Sequence, residues 1–243
     1  MRLITAAVLY TALIIALGFF IISPLFYRTS SVETKQKIML SFSASESNDI
    51  ADWCRNLSSI LKSYDISATL FIVGKVAEQH PECVSCFGSN VDIGSQTYSN
   101  LNLTSIADYD TQLEEVRKGK QAVDTAGNLY SRVFRAPNGD TDQNIYSLLS
   151  RNDILADFSY GSQYNVYLDN QFVKFDATVY DGTTCSANSI LTLKKSSKPI
   201  IINFDNEYPA ELISDFIGTL KTGQLDFVNA SEMTGLNLTV RGD

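Results

Sequence analysis

The chain has 243 residues, 44% of them hydrophobic, which is enough to bury the core of one ordinary α/β domain. Its 19 Lys and Arg stand against 27 Asp and Glu, for a formal net charge of −8. That balance excludes nucleic acid as a partner, because phosphate binding needs clustered Lys and Arg, and the densest basic run, LKKSSK at 193–198, reads as a solvated loop.

Residues 3–26, LITAAVLYTALIIALGFFIISPLF, form an uncharged run of 24 residues, long enough to span a hydrocarbon core of about 30 Å. The run exceeds the apolar core of a secretory signal and shows no clear small-residue cleavage site, so an uncleaved membrane anchor is expected over 1–28. Arg2 is set against Arg28, Lys35 and Lys37, and this count does not by itself orient the chain; the domain is expected outside the cytoplasm. Residues 29–36 are polar and aperiodic, which suits a juxtamembrane linker.

From residue 37 onward, apolar strand-like runs alternate with helical stretches. IMLSFS is followed by a helix through DIADWCRNLSSILKSY, then SATLFIV, a short helix through KVAEQH, and NVDIGS. A long helix over DYDTQLEEVRKGKQAVDTAG leads to SRVFRAP, a helix near DQNIYSLLSRN, ILADFS, and a strand-like FVKFDATVY. A helix near SANSILTLKK, the strand PIIINFD, a helix through ELISDFIGTLKT and LDFVN complete the chain. Alternation of this kind indicates parallel βαβ units, and about seven of them in 37–243 predict a (β/α) barrel, more than an open sheet, as one domain. In such barrels the C-terminal ends of the strands face the mouth, so SFSASES, GSQTYSN, FRAPNGD and INFDNE are where chemistry is expected.

The four cysteines, Cys54, Cys83, Cys86 and Cys185, suit one or two disulfides in an oxidising compartment, with three connectivities if all pair. A four-thiolate zinc site usually shows two CxxC pairs, and only CVSC at 83–86 is present. Sequons at Asn56, Asn102, Asn229 and Asn237 would be usable only outside the cytosol. Trp53, with Leu57 and Ile60 on the same helical stripe, reads as core.

SATLFIVGKVAEQHPE, VDIGSQTYSNLNLTS and SRVFRAPNGD, with IMLSFSASES before them and PIIINFD after, resemble the polysaccharide deacetylase family over about residues 37–233. The resemblance implies a distorted (β/α) barrel of about seven strands and a divalent metal, usually zinc, held by one Asp and two His; the metal polarises an acetamide carbonyl and activates water, while a second Asp acts as base and a later His as acid. In this chain the base aligns with Ser43 and the metal-binding Asp with Ala44. The two His positions hold Gln96 and Asn100, and the acid position holds Phe204. Arg135, which in the family helps to hold the catalytic Asp, keeps its identity. The only histidine, His80, lies in a segment that the resemblance implies is surface. Glu46, Asp140, Asp142, Asp205 and Glu207 lie near strand ends without the spacing of a hard-cation site and read as surface acids.

Losing base, ligands and acid together implies an inactive member with no metal cofactor, whose work is binding a glycan or a cell-envelope protein. Tyr98, Arg135 and Asn138 are the candidate ligand contacts; Tyr160, Tyr164 and Tyr167 offer further aromatic faces for sugar rings, although most such tyrosines pack. Two other readings are an active hydrolase of N-acetyl groups through a remodelled site, which would need zinc or another divalent ion, and a structural envelope protein without a ligand.

Overall fold

The computed structural model describes residues 35–159, 163–168, 171–193 and 198–242. The expected anchor lies outside the described residues, as does most of the linker; among the described residues no helix is long and apolar enough to cross a membrane. The first strand, β1 (Gln36–Ala44), opens at Gln36.

Strand β1 is buried on both faces and sorts its side chains with a period of two. Ile38, Leu40, Phe42 and Ala44 join the cluster beneath the helices, whereas Met39 points into a separate interior cluster. Around it run β2 (Ala68–Ile72), β3 (Val91–Ser95), β5 (Val133–Phe134) and β6 (Ala156–Asp157) on one side, with β10 (Ile200–Asp205) and β9 (Thr178–Asp181) on the other. Each neighbouring pair in this series is parallel. A small edge sheet, β4 (Leu129–Ser131) with β12 (Thr239–Arg241), and β11 (Leu225–Phe227) beside β1 complete the strands away from the hairpin described next.

One expected strand divides. FVKFDATVY breaks at Ala177: its first half is β8 (Gln171–Asp176), which pairs antiparallel with β7 (Gln163–Leu168), and β7 pairs antiparallel with β6. Its second half, β9, is parallel to β10 at the opposite end of the sheet. The chain therefore passes between the two ends of the strand order, β8 and β9, which are not hydrogen-bonded to each other. The sheet is curled, since Met39 of β1, Val133 of β5, Ala156 of β6 and Ile201 of β10 all contribute to one interior cluster.

The helices cover the outer face. Helix α1 (Ile50–Tyr64) buries Ile50, Trp53, Cys54, Leu57 and Leu61, a stripe at helical spacing, and ends at Asp65 in the left-handed conformation. Next come α2 (Gly74–Gln79) and the single turn α3 (Glu82–Ser85), then α4 (Tyr109–Gly127), capped by the Asp108 side chain. Helices α5 (Gln143–Arg151), α6 (Ala187–Leu191), α7 (Ala210–Leu220) and α8 (Ala230–Thr234) follow the later strands. A disulfide joins Cys54 of α1 to Cys83 of α3 and leaves Cys86 and Cys185 as free thiols, so CVSC does not bond within itself.

Candidate functional site

Inside the curl, Arg135 follows β5 and is 1% exposed. Its Nε donates to the Phe158 carbonyl at 3.1 Å, Nη1 to Ser43 Oγ at 3.3 Å, and Nη2 to Asn203 Oδ1 at 2.9 Å and also to Ser41 Oγ. The guanidinium lies 4.2 Å from the centroid of the Phe71 ring. These are neutral oxygens and an aromatic face. At Ser43, where the resemblance places a carboxylate, the guanidinium meets a hydroxyl.

Period-two alternation decides what else reaches this centre. Ser41 and Ser43 share a face of β1, and register sets Ser41 opposite Asn203 and Ser43 opposite Asp205 on β10. Asn203 therefore faces Arg135, whereas Phe204, its neighbour along the strand, faces the helix layer. Phe204 is 2% exposed and lies among Phe42, Tyr208 and Phe216, with ring centroids 5.7, 5.2 and 5.3 Å away. Ala44 lies in the same outer layer. The residues aligned with the general acid and with the metal-binding Asp thus serve as core.

The QTYSN segment keeps its frame for backbone reasons. Gly74 and Lys75, at the start of α2, donate to the carbonyls of Thr97 and Tyr98 at 3.1 and 2.9 Å, and the Tyr98 amide donates to the Glu115 carbonyl at 2.9 Å. The Glu115 carboxylate accepts from the Ser99 amide and hydroxyl at 2.9 and 2.7 Å. A Cβ on Gly119 of α4 would fall 2.6 Å from the Gln96 carbonyl oxygen, so the close approach of α4 to this loop requires glycine. Gln96 is buried and its Oε1 has no hydrogen-bond partner, while Asn100 is exposed at φ 59°.

These residues do not fit a zinc ion. Ala44 offers no donor atom, and Gln96 and Asn100 offer neutral amides in place of imidazoles. Among the described residues no group of three or more His, Cys, Asp or Glu is placed to hold a metal. Three of the acids near the strand ends have other work. Asp140 accepts from Asn102 Nδ2 at 2.6 Å, Asp142 caps α5, and Asp205 accepts from the Glu207 amide at 3.0 Å. His80 sits at the C-terminal cap of α2, its Nδ1 3.7 Å from Glu82.

The candidate ligand contacts separate. Arg135 is closed off from solvent, and its guanidinium is engaged by Ser41, Ser43, Asn203 and the Phe158 carbonyl. Tyr98 is half-buried, donates to Glu78 at 2.6 Å, and lines a cleft of about 560 Å³ between α2 and α4 with Arg117, Lys118 and Gln121. Asn138 is exposed in the left-handed region, φ 57°. Tyr160 and the side chains of Tyr164 and Tyr167 lie outside the described residues.

One central residue was missed from sequence. Asp157, at the end of β6, is fully buried; its Oδ1 accepts the Ser159 amide at 3.0 Å and the Ser159 hydroxyl, and its Oδ2 has no partner. Burial pushes its carboxyl up to about 6, opposed by the Ser159 hydrogen bonds and by the nearby Arg135 charge. The available signal was an acid inside the apolar run ILADFS, as Asn203 inside IIINFD was for the Arg135 cluster.

Comparison with known proteins agrees with this fold. The family model described as polysaccharide deacetylase matches residues 31–156. Among solved structures, the chain is similar to peptidoglycan deacetylase PdaC from Bacillus subtilis, with TM-score 0.62 and 15% identity over 83% of this chain and 91% of that one. It is likewise similar to a family 4 carbohydrate esterase from Streptomyces lividans, with TM-score 0.60 and 18% identity over 86% and 98%. A family 4 pseudoenzyme from Bacillus anthracis aligns with TM-score 0.60 and 15% identity over 82% of this chain and 65% of that one. A search of curated proteins gives no match.

Proposed function

Because the chain belongs to the polysaccharide deacetylase family, we propose that it is a member that has given up metal-assisted deacetylation and binds a glycan or a cell-envelope protein instead. The observation that carries this is the Arg135 cluster: a buried guanidinium held by Ser41, Ser43 and Asn203, with the Ser43 hydroxyl standing where the resemblance places the catalytic carboxylate. With Ala44 and Phe204 turned to the helix layer and Gln96 and Asn100 carrying amides, no base, metal ligand or acid of the family set is in place. The fold of a family pseudoenzyme from Bacillus anthracis is a precedent for a barrel kept without activity.

With Arg135 enclosed, the binding surface is the Tyr98 cleft. Alanines 77, 122 and 126 and Pro81 give it an apolar floor, and Glu78, Arg117 and Gln121 give it polar edges, a combination suited to a sugar face and its hydroxyls. The domain is tethered through residues 3–26 and lies outside the cytoplasm. The Cys54–Cys83 disulfide supports that side, since such bonds persist in oxidising compartments.

The test measures bound metal in the purified protein after zinc, cobalt and calcium soaks, acetate release from N-acetylglucosamine oligomers, and glycan-array binding with and without Tyr98→Ala. No stoichiometric metal, no acetate, and glycan binding at least tenfold weaker in the variant are the expected results. Stoichiometric metal with released acetate overturns the loss of catalysis, and glycan binding indifferent to Tyr98→Ala overturns the assignment of the cleft.

A further inference from the structure

The Cys54–Cys83 disulfide has a third sulfur beside it. Cys83 and Cys86 are three residues apart around the single turn of α3, so both side chains leave the same side of that turn, the side that packs on α1. The half-buried Cys86 thiol donates to the carbonyl oxygen of Cys54 at 3.8 Å. The Cys83 sulfur lies 3.5 Å from the carbonyl oxygen of Ile50, one helical turn earlier on α1. A disulfide sulfur has no proton to give that oxygen, whereas a Cys83 thiol would have one. Each sulfur of CVSC thus has its own α1 carbonyl: Cys83, bonded to the Cys54 sulfur, rests on Ile50, and Cys86 rests on the backbone of Cys54 itself.

We propose that this cluster is a thiol–disulfide exchange site in which Cys86 replaces Cys83 as the partner of Cys54. The Cys86 thiolate attacks Cys54 Sγ; the Cys54–Cys86 bond forms as the Cys54–Cys83 bond breaks, and the electron pair leaves on Cys83 Sγ. Cys86 loses one proton and Cys83 gains one, so the step is redox-neutral and needs no outside oxidant. Its consequence is a change in which thiol solvent can reach. Cys86 lines a cleft of about 410 Å³ with Ser58, Lys62 and Asn90, whereas Cys83 is fully buried. One isomer presents a free thiol in that cleft and the other hides it.

The groups facing the Cys86 sulfur set its pH response. Burial raises the thiol's pKa and Glu82 adds to the rise, while the Arg55 charge and the Ser58 hydroxyl lower it; the net direction is upward from 9.0. Lys62 and Asp65 border the same cleft. Because the thiolate is the attacking species, the exchange speeds up by about tenfold per pH unit below that pKa.

The experiment incubates the full chain without reductant at pH 7 and pH 9, quenches in acid, alkylates with N-ethylmaleimide, and locates the label by peptide fragmentation. The expected result is label appearing on Cys83 as it disappears from Cys86, more than tenfold faster at pH 9, with Cys185 labelled throughout. Cys86→Ser should abolish the Cys83 label, and mildly oxidised Cys83→Ser should contain a Cys54–Cys86 bond. Label confined to Cys86 and Cys185 at both pH values overturns the proposal, as does loss of label from Cys185 in parallel, which marks scrambling of an unfolded chain. If Cys83→Ser does not fold, the unsubstituted chain alone decides.

Discussion

Replacing Asp157 by Asn isolates the cost of one fully buried charge. The folded-state pKa of Asp157 is raised from 3.8 to about 6, so the folded chain binds this proton more tightly than the unfolded chain. Its contribution is therefore fully favourable below about pH 4 and is lost as pH rises through about 6. About two pKa units at 1.36 kcal/mol each make that loss ~3 kcal/mol. Asparagine keeps an oxygen for the Ser159 amide and hydroxyl and puts an amide nitrogen where Oδ2 has no partner, a penalty that does not change with pH. The stability difference between Asp157→Asn and the unsubstituted chain should therefore move by ~3 kcal/mol in favour of asparagine between pH 4 and pH 7. Urea denaturation followed by the fluorescence of the single tryptophan, Trp53, buried in α1, measures it at each pH. Parallel pH profiles, within about 0.5 kcal/mol throughout, would refute the reasoning that burial dominates this site.

Phe204→Ala should cost about 3–5 kcal/mol in the same assay, because it empties a ring site packed by Phe42, Tyr208 and Phe216. Phe204→His should also destabilise and release no acetate from N-acetylglucosamine oligomers, since its ring faces the helix layer; recovered activity would contradict that orientation. Gly182→Ala places a Cβ 2.2 Å from Phe204 Cε1 and should cost about 1–3 kcal/mol, less when combined with Phe204→Leu, as a double-variant cycle would reveal. Asn229 is buried in a reciprocal capping box with Glu232 at the start of α8. Asn229→Ala should cost about 0.5–2 kcal/mol, and peptide mapping after expression in a glycosylating host should find Asn229 unmodified.

Much of the barrel was legible because its strands and helices announce themselves locally. IMLSFS, SATLFIV and PIIINFD are apolar runs too short for helices, and the stripe through Trp53 and Leu57 repeats at helical spacing. The reading failed where one apolar run serves two partners. FVKFDATVY has the pattern of one strand, yet its halves pair antiparallel and parallel at opposite ends of the sheet, and strand propensity carries no information about the partner. The hairpin strand β7 went unread for the same reason.

By itself, the sequence determined which chemical groups exist near the strand ends: hydroxyls at Ser41 and Ser43, amides at Gln96 and Asn100, a ring at Phe204, and a single cation at Arg135 among them. Side-chain identity is covalent and needs no fold. Tertiary structure alone decided which of these groups meet. Alternation along β10 turns Asn203 toward Arg135 and Phe204 away from it, and the curl of the sheet buries Arg135 while Tyr98 lies in a cleft between α2 and α4 with Arg117. It also chose Cys83 over Cys86 as the partner of Cys54, a choice between two sulfurs on one side of one helical turn. Such outcomes depend on strand register and on distances between residues far apart in the chain, which the packing of the whole domain fixes.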